Sequence, residues 1–358
     1  MQKQIFKSLF FLTIFLILPN FVWAAPSITS ATINAGTLSI IGTNLGTKTT
    51  PAPVLWDNFN AETSGNIINT NGWIPDAGNS PVYSSIRAHS GSVSALTQFV
   101  GVDNYSSITR HPIGNLSTIY YSFWVYVERV GGVASRNIKL TRVSSSGGTD
   151  LIHSTPNIGA TVFYDAVSPA YYIQSGTGTD VTYYDPRDIN APSDVGRWAK
   201  MEFYIKLSST PGAADGEIQT FMDGYQIRNS VGDVTLGISP NGTTFQNLTL
   251  SFYVAHDVGG DYYIYNDDIY LDNTRARVEL CPNVAWATRG QCETQIPSAW
   301  NAGQITANFN DGALLGGVNA YVYVVDENGN VNADGYAITL PGVLDATPPS
   351  APTGLGVI

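Results

Sequence analysis

The chain carries little charge of either sign. Asp, Glu, Lys and Arg together make up 13% of its 358 residues, about half the usual share. That argues against charge-rich disorder and against long salt-bridged helices. Within this small set, 28 acids face 17 bases, a formal net charge of −11. A nucleic acid or an anionic membrane is therefore not an expected partner. A local basic groove on an acidic protein stays compatible with an anionic polysaccharide. Histidine is scarce as well, at four residues: His89, His111, His153 and His256. No His/Cys set has zinc-motif spacing, and no glycine-rich phosphate loop or serine nucleophile elbow occurs. Glu202 has no obvious strand partner to complete the carboxylate pair of a glycosidase. Helical periodicity is almost absent.

No stretch beyond the N-terminus approaches 18 apolar residues, so no transmembrane segment is expected after processing. The N-terminus itself reads as a secretory signal over residues 1–24. Lys3 and Lys7 precede an apolar run from Leu9 to Leu18, Pro19 and Asn20 break it, and Val22-Trp23-Ala24 supplies a cleavage site before Ala25. Loss of this segment leaves 15 bases against the 28 acids, a net of −13. The expected location is secreted or cell-surface. In an oxidising compartment the two cysteines, Cys281 and Cys292, are expected to form a disulfide.

What is abundant is Gly, Thr, Ser, Asn and Tyr, in short alternating runs cut by turn residues. This composition predicts an all-β chain of sandwich type. Thr118 to Glu128 and Arg197 to Leu207 are the longest strands, and Glu217 to Met222 runs into the Asp223-Gly224 turn. Phe245 to His256, Asp268 to Asp272, Gln304 to Phe309, Ala320 to Val325 and Tyr336 to Leu340 follow. A proline-rich tail occupies 345–358, and its Pro349-Ser350-Ala351-Pro352-Thr353-Gly354-Leu355 resembles the opening of a fibronectin type III module.

Two further resemblances are nested. Pro26-Ser27-Ile28-Thr29 with Gly36 to Gly46 resembles the start of an immunoglobulin-like TIG (IPT) domain, with Leu45 where that family usually has Phe. Arg277 to Leu280, Ile296 to Thr306 and Ala320 to Asp326 resemble its later strands. Residues 25–53 and 277–344 are therefore expected to form one split Ig-like sandwich. The segment between, 54–276, resembles the concanavalin-A-like jelly roll of lectins, carbohydrate-binding modules and several polysaccharide lyases. Trp56-Asp57-Asn58-Phe59, Ala88 to Ser92, Gly196-Arg197-Trp198, Asp215-Gly216, Asp223-Gly224 and Asp267 to Asn273 carry the resemblance. A fold shared by binders and enzymes does not by itself decide function.

Strand alternation places Tyr120, Ser122, Trp124 and Tyr126 opposite an apolar face, and likewise Lys200, Glu202, Tyr204 and Lys206. Lys139 and Tyr253 are expected to extend the polar surface. If these faces align on one sheet they make an aromatic and cationic trough. Sugar C–H faces stack on Tyr and Trp, while hydroxyls and carboxylates need fixed donors. The ligand-binding set is thus Tyr120, Trp124, Tyr126, Lys139, Lys200, Glu202, Tyr204 and Tyr253, and the expected partner is a polysaccharide. The first expected function is carbohydrate binding or adhesion. One alternative is a lyase cleaving a uronate polymer by β-elimination, with His256, Tyr204, Tyr253 and Lys206 as catalytic candidates. The other is a non-catalytic structural surface protein. A structural calcium ion is a candidate cofactor, held by Asp57 with Asp268 or Asp272, because the two ends of an inserted domain lie close together.

Overall fold

The computed structural model describes residues 24–75, 80–100, 104–105, 109–131, 138–144, 159–165, 170–177, 180–184, 196–236, 243–254, 261–314, 316–317 and 319–341. Residues 1–23, where a signal segment is expected, His256 and the tail from 345 lie outside the described residues. Among those described, the chain is all-β apart from one 3-10 turn, Trp286–Thr288. Among the described residues, no helix is long and apolar enough to cross a membrane.

Two β-sandwiches result. The smaller is built from both ends of the chain. The Ser27–Asn34 and Thr37–Thr43 hairpin shares a sheet with Gln304–Asn308 and Ile296–Asn301. The facing sheet is Glu293–Thr294, Arg277–Cys281, Asn319–Val325 and Tyr336–Thr339. Leu38, Ile40 and Leu45 from the N-terminal part bury their side chains with Val278, Leu280, Trp300, Ile305, Val322 and Val324 from the C-terminal part. An N-terminal hairpin alone would leave this apolar face in water, so burial couples the chain's two ends. Cys281 and Cys292 form a disulfide.

The larger sandwich lies between these segments in sequence. Its first strand, Leu55–Asp57, pairs with its last, Asp261–Asp272, so that Asp57 faces Ile269. The chain thus leaves and re-enters the smaller unit at one place. One of its two sheets centres on Thr118–Val130, flanked by Trp198–Lys206 and Asp261–Asp272. The other centres on Ile138–Ser144 and Phe245–Val254. The inward residues Tyr121, Phe123, Val125, Val127, Met201, Phe203 and Ile205 meet Leu140, Val143, Phe245, Leu248 and Leu250 in one continuous core. The period-2 alternation of these strands directs this core inward and the polar residues outward.

The same topology separates the expected trough residues. Lys139 and Tyr253 are cross-strand partners, but on the second sheet. Tyr120, Trp124, Tyr126, Lys200, Glu202 and Tyr204 are on the first. The two sets belong to different sheets. The reason is connectivity: the strand after Thr118–Val130 crosses to the opposite layer, and hydrophobic pattern does not encode which layer a strand joins.

Candidate functional site: a cleft at the seam between the two sandwiches

On the first sheet, Thr118–Val130 and Trp198–Lys206 run antiparallel. Tyr120 faces Tyr204, Ser122 faces Glu202, Trp124 faces Lys200 and Tyr126 faces Trp198. The expected polar face therefore exists as a block of adjacent side chains. It is not an open trough. Tyr120, Trp124, Lys200, Glu202 and Tyr204 are between 0% and 6% exposed. The Arg277–Cys281 and Glu293–Thr294 strands of the smaller unit, with the loop between its cysteines, lie over them.

What covers this face satisfies it chemically. Glu202 accepts from Tyr120 Oη at 2.7 Å and from Arg289 Nη2 at 3.2 Å. Arg289 Nε also donates to Glu279 at 3.2 Å, and Arg277 Nε donates to the other Glu279 oxygen at 2.5 Å. The Arg277 guanidinium lies 4.2 Å from the Tyr120 ring centre, and that of Arg275 lies 3.8 Å from Tyr204. Lys200 Nζ donates to the Cys292 carbonyl at 2.7 Å and to Thr294 Oγ1 at 3.1 Å. Buried charges need partners of this kind. Five of the eight residues expected to touch a sugar thus touch protein instead.

The cover stops short of one end of the sheet. There a cavity of about 540 Å³ opens, lined by His89, Arg197, Trp198, Asp223, Gln291 and Ala313. Trp198 is half-buried in its wall. The Trp198 ring meets Tyr126 edge-on at 5.6 Å, and the Arg87 guanidinium sits 4.5 Å from the Tyr126 ring. Tyr126 therefore continues an aromatic surface outward from the cavity.

Local backbone geometry sets the polar wall. The Asp223-Gly224 turn has positive φ at both residues, 50° and 77°, as a tight two-residue hairpin turn requires. A side chain at Gly224 would lie 2.2 Å from the Gly290 carbonyl, so the turn docks directly on the disulfide loop. Asp223 Oδ1 accepts from the Lys200 amide at 2.8 Å and from Gln291 Nε2 at 2.9 Å. Its Oδ2 accepts from Arg197 Nη1 at 2.7 Å. Arg197, Asp223 and Gln291 are thereby held as fixed planar groups beside an indole.

His89 forms part of the floor. A β-bulge interrupts the long strand between Asp267 and Tyr270, with Asp268 at a φ of 48°. Bulges re-aim side chains, and here Asp267 Oδ2 accepts the His89 amide at 2.7 Å while Asp268 Oδ2 lies 3.0 Å from His89 Nδ1. The imidazole stacks on Trp124 at 3.6 Å and meets Trp198 edge-on at 5.7 Å. Burial, reinforced by the Asp268 carboxylate, pushes Glu293 up to about 7 against the pull of His89 and Lys200. Burial, then Asp268, also raises Asp267 well above the ordinary carboxylate range.

Of the catalytic candidates, Tyr204 and Lys206 do not line this cleft. Tyr204 is under Arg275. Lys206 is exposed and paired with Glu217 at 3.2 Å. Tyr253 is on the second sheet, and His256 lies outside the described residues. The three calcium candidates each hold separate partners. Asp57 accepts from the Phe59 amide and from Trp73 Nε1, both at 2.8 Å. Asp272 pairs with Lys48 at 2.5 Å and accepts from Tyr270 Oη at 2.9 Å. Asp268 engages His89, and Ser90 Oγ at 2.7 Å. Arg197, Trp198 and Asp223 fall in motifs read from sequence as scaffold markers, and Gln291 in a disulfide loop. Nothing in their spacing signals a common wall.

No protein-family model and no curated protein matches the chain. Among solved structures, it is similar to an endo-β-1,4-glucuronan lyase from the fungus Trichoderma reesei, at 10% identity and a TM-score of 0.45, over 62% of this chain and 96% of that one. It is also similar to a variant of alginate lyase Aly36B in complex with an alginate trisaccharide, at 12% identity and TM-score 0.44, over 63% and 99%. An alginate lyase from a Chlorella virus aligns at 10% identity and TM-score 0.42, over 59% and 99%. No residue role is carried from these proteins to this chain.

Proposed function

We propose that the chain is an extracytoplasmic carbohydrate-binding protein whose sugar site is the seam cleft. The observation that carries this reading is Trp198, half-buried in the cleft wall beside Arg197, Asp223 and Gln291. An indole offers a flat apolar surface to a pyranose C–H face, and fixed planar polar groups match its hydroxyls. Tyr126 extends the platform for a second sugar unit. The buried network beneath is a rigid support that holds both walls in register.

The test is a binding titration of the full chain against alginate, glucuronan and a neutral glucan, the first two chosen because they are the polymers named for the structural neighbours. Saturable binding of at least one polymer, weakened in Arg197→Ala for an anionic ligand, supports the reading. No binding to any polysaccharide on a wider glycan panel contradicts it.

A lyase reading has one observation in its favour: His89 and Arg197 share the cleft, a potential base and a cation for a uronate carboxylate. Incubation with alginate or glucuronan distinguishes it, since β-elimination generates an ultraviolet-absorbing unsaturated sugar. A steady rise in that absorbance, lost in His89→Ala, replaces the binding reading with the catalytic one.

A further inference from the structure

At the cleft floor, segments far apart in sequence bring together His89, Asp268 and Glu293. Their side chains are 3%, 3% and 2% exposed. One ligand atom from each lies within 4.8 Å of the others. Asp267 is buried beside them. Three carboxyl side chains and one imidazole thus converge in a single buried region, a nitrogen-and-oxygen donor set of the kind that holds a metal ion.

Two details specify the guest. Glu293 Oε1 accepts from the Ala313 amide at 3.2 Å, but Oε2 is buried with no hydrogen-bond partner. A buried carboxylate oxygen without a donor is costly. Gly312, at a φ of 53°, lets the chain close over this carboxyl: a side chain there would lie 2.1 Å from Glu293 Cδ. Second, His89 Nε2 stands 3.5 Å from Glu293 Oε1. That is longer than the roughly 2.7–2.9 Å of a charge-assisted hydrogen bond. It is close to the ~3.4 Å that separates two ligands across a tetrahedral zinc with bonds of about 2.0–2.2 Å. On the other side of the ring, Nδ1 meets Asp268 Oδ2 at 3.0 Å. A carboxylate in that place fixes the tautomer that leaves Nε2 with its lone pair facing Glu293.

We propose that His89 Nε2 and the Glu293 carboxylate bind a zinc-class divalent metal ion, with Asp268 orienting the imidazole from behind. An imidazole with carboxylate ligands suits zinc better than calcium, which prefers an all-oxygen shell. His89 and Ala313 both line the cleft, so the remaining coordination positions open towards it. The ion joins the two sandwiches, since His89 belongs to the larger and Glu293 to the smaller. The site stands whether or not the cleft takes a sugar.

The competing guest is a proton, which would make His89 an imidazolium between two carboxylates. The two are separated by titrating zinc into the metal-stripped full chain against a chromophoric chelator. The expected result is one bound equivalent per chain, lost in His89→Ala and in Glu293→Gln, weakened about 10–100-fold in Asp268→Asn, and retained in His111→Gln. Binding that is absent, or that survives Glu293→Gln undiminished, overturns the proposal. Cobalt(II) added to the unmutated chain gives a reading that no folding defect can obscure. Tetrahedral visible bands with nitrogen and oxygen ligands support the site, and a spectrum of hydrated cobalt rejects it.

Discussion

Arg289 Nη2 lies 3.2 Å from Glu202 Oε1, and both side chains are at most 1% exposed. Glu202 is on the first sheet of the larger sandwich, and Arg289 is on the disulfide loop of the smaller. This ion pair, with Arg277, Glu279 and Tyr120, forms the centre of the seam. Removing one member leaves a buried charge without its partner, which typically costs about 3–5 kcal/mol. Glu202→Ala is therefore expected to lower full-chain stability by that order in urea unfolding. The Glu202→Met, Arg289→Met double variant is expected to lose less than the sum of its single variants. Full additivity would mean that the two side chains do not act as a pair.

The disulfide positions both the seam and the cleft. Cys281 and Cys292 are 11 residues apart, and Arg289, Gly290 and Gln291 lie on the loop they close. Closing a loop of this size restricts the unfolded chain by about 3 kcal/mol. Reduction, or a Cys281→Ser, Cys292→Ser double variant, is expected to lower the melting temperature and to weaken polysaccharide binding through Gln291. Lower stability with unchanged binding would show that Gln291 has no part in sugar binding.

Acidification is expected to weaken the seam. Burial works to raise the pKa of Glu279, but Arg277, Lys200 and Arg289 outweigh it and hold the carboxyl far below its ordinary value of 4.5. The folded state thus binds fewer protons than the unfolded state in this range. The stabilisation is complete above the ordinary glutamate pKa and is lost as pH falls below it. Melting temperature is expected to drop steeply below about pH 4.5. Glu279→Gln is expected to start lower at neutral pH and to show a shallower acid slope. An unchanged slope in that variant would assign the acid sensitivity to other carboxyls.

Much of the fold is legible in the sequence. The period-2 alternation of Tyr121, Phe123, Val125 and Val127 identifies a core face, and the outward block of Tyr120, Trp124, Lys200 and Glu202 is a real cross-strand array. Its fate is not legible. The residues that cover it, Arg277, Arg289 and Thr294, are more than 70 positions beyond Trp198–Lys206 in sequence and carry no periodic signal. A polar sheet face facing solvent and one facing a second domain have the same composition when the second domain answers charge for charge. Layer assignment is hidden for a related reason. Lys139 and Tyr253 alternate as the other strands do, and only the crossover connection puts them on the opposite sheet. The cleft itself comes from turn chemistry. Gly196, Asp223-Gly224 and Gly290 mark bends, and the side chains beside those bends converge only once the two sandwiches dock.

The most direct measurement compares two aromatic substitutions in polysaccharide binding by the full chain, each variant being checked for intact folding by circular dichroism. Trp198→Ala removes the half-buried platform of the cleft wall, whereas Tyr204→Phe alters the buried face by a single hydroxyl. A seam-cleft site predicts about tenfold or greater loss of affinity for Trp198→Ala, from roughly 1.4 kcal/mol or more of lost contact, and near-unchanged affinity for Tyr204→Phe. Undiminished binding by Trp198→Ala would contradict it.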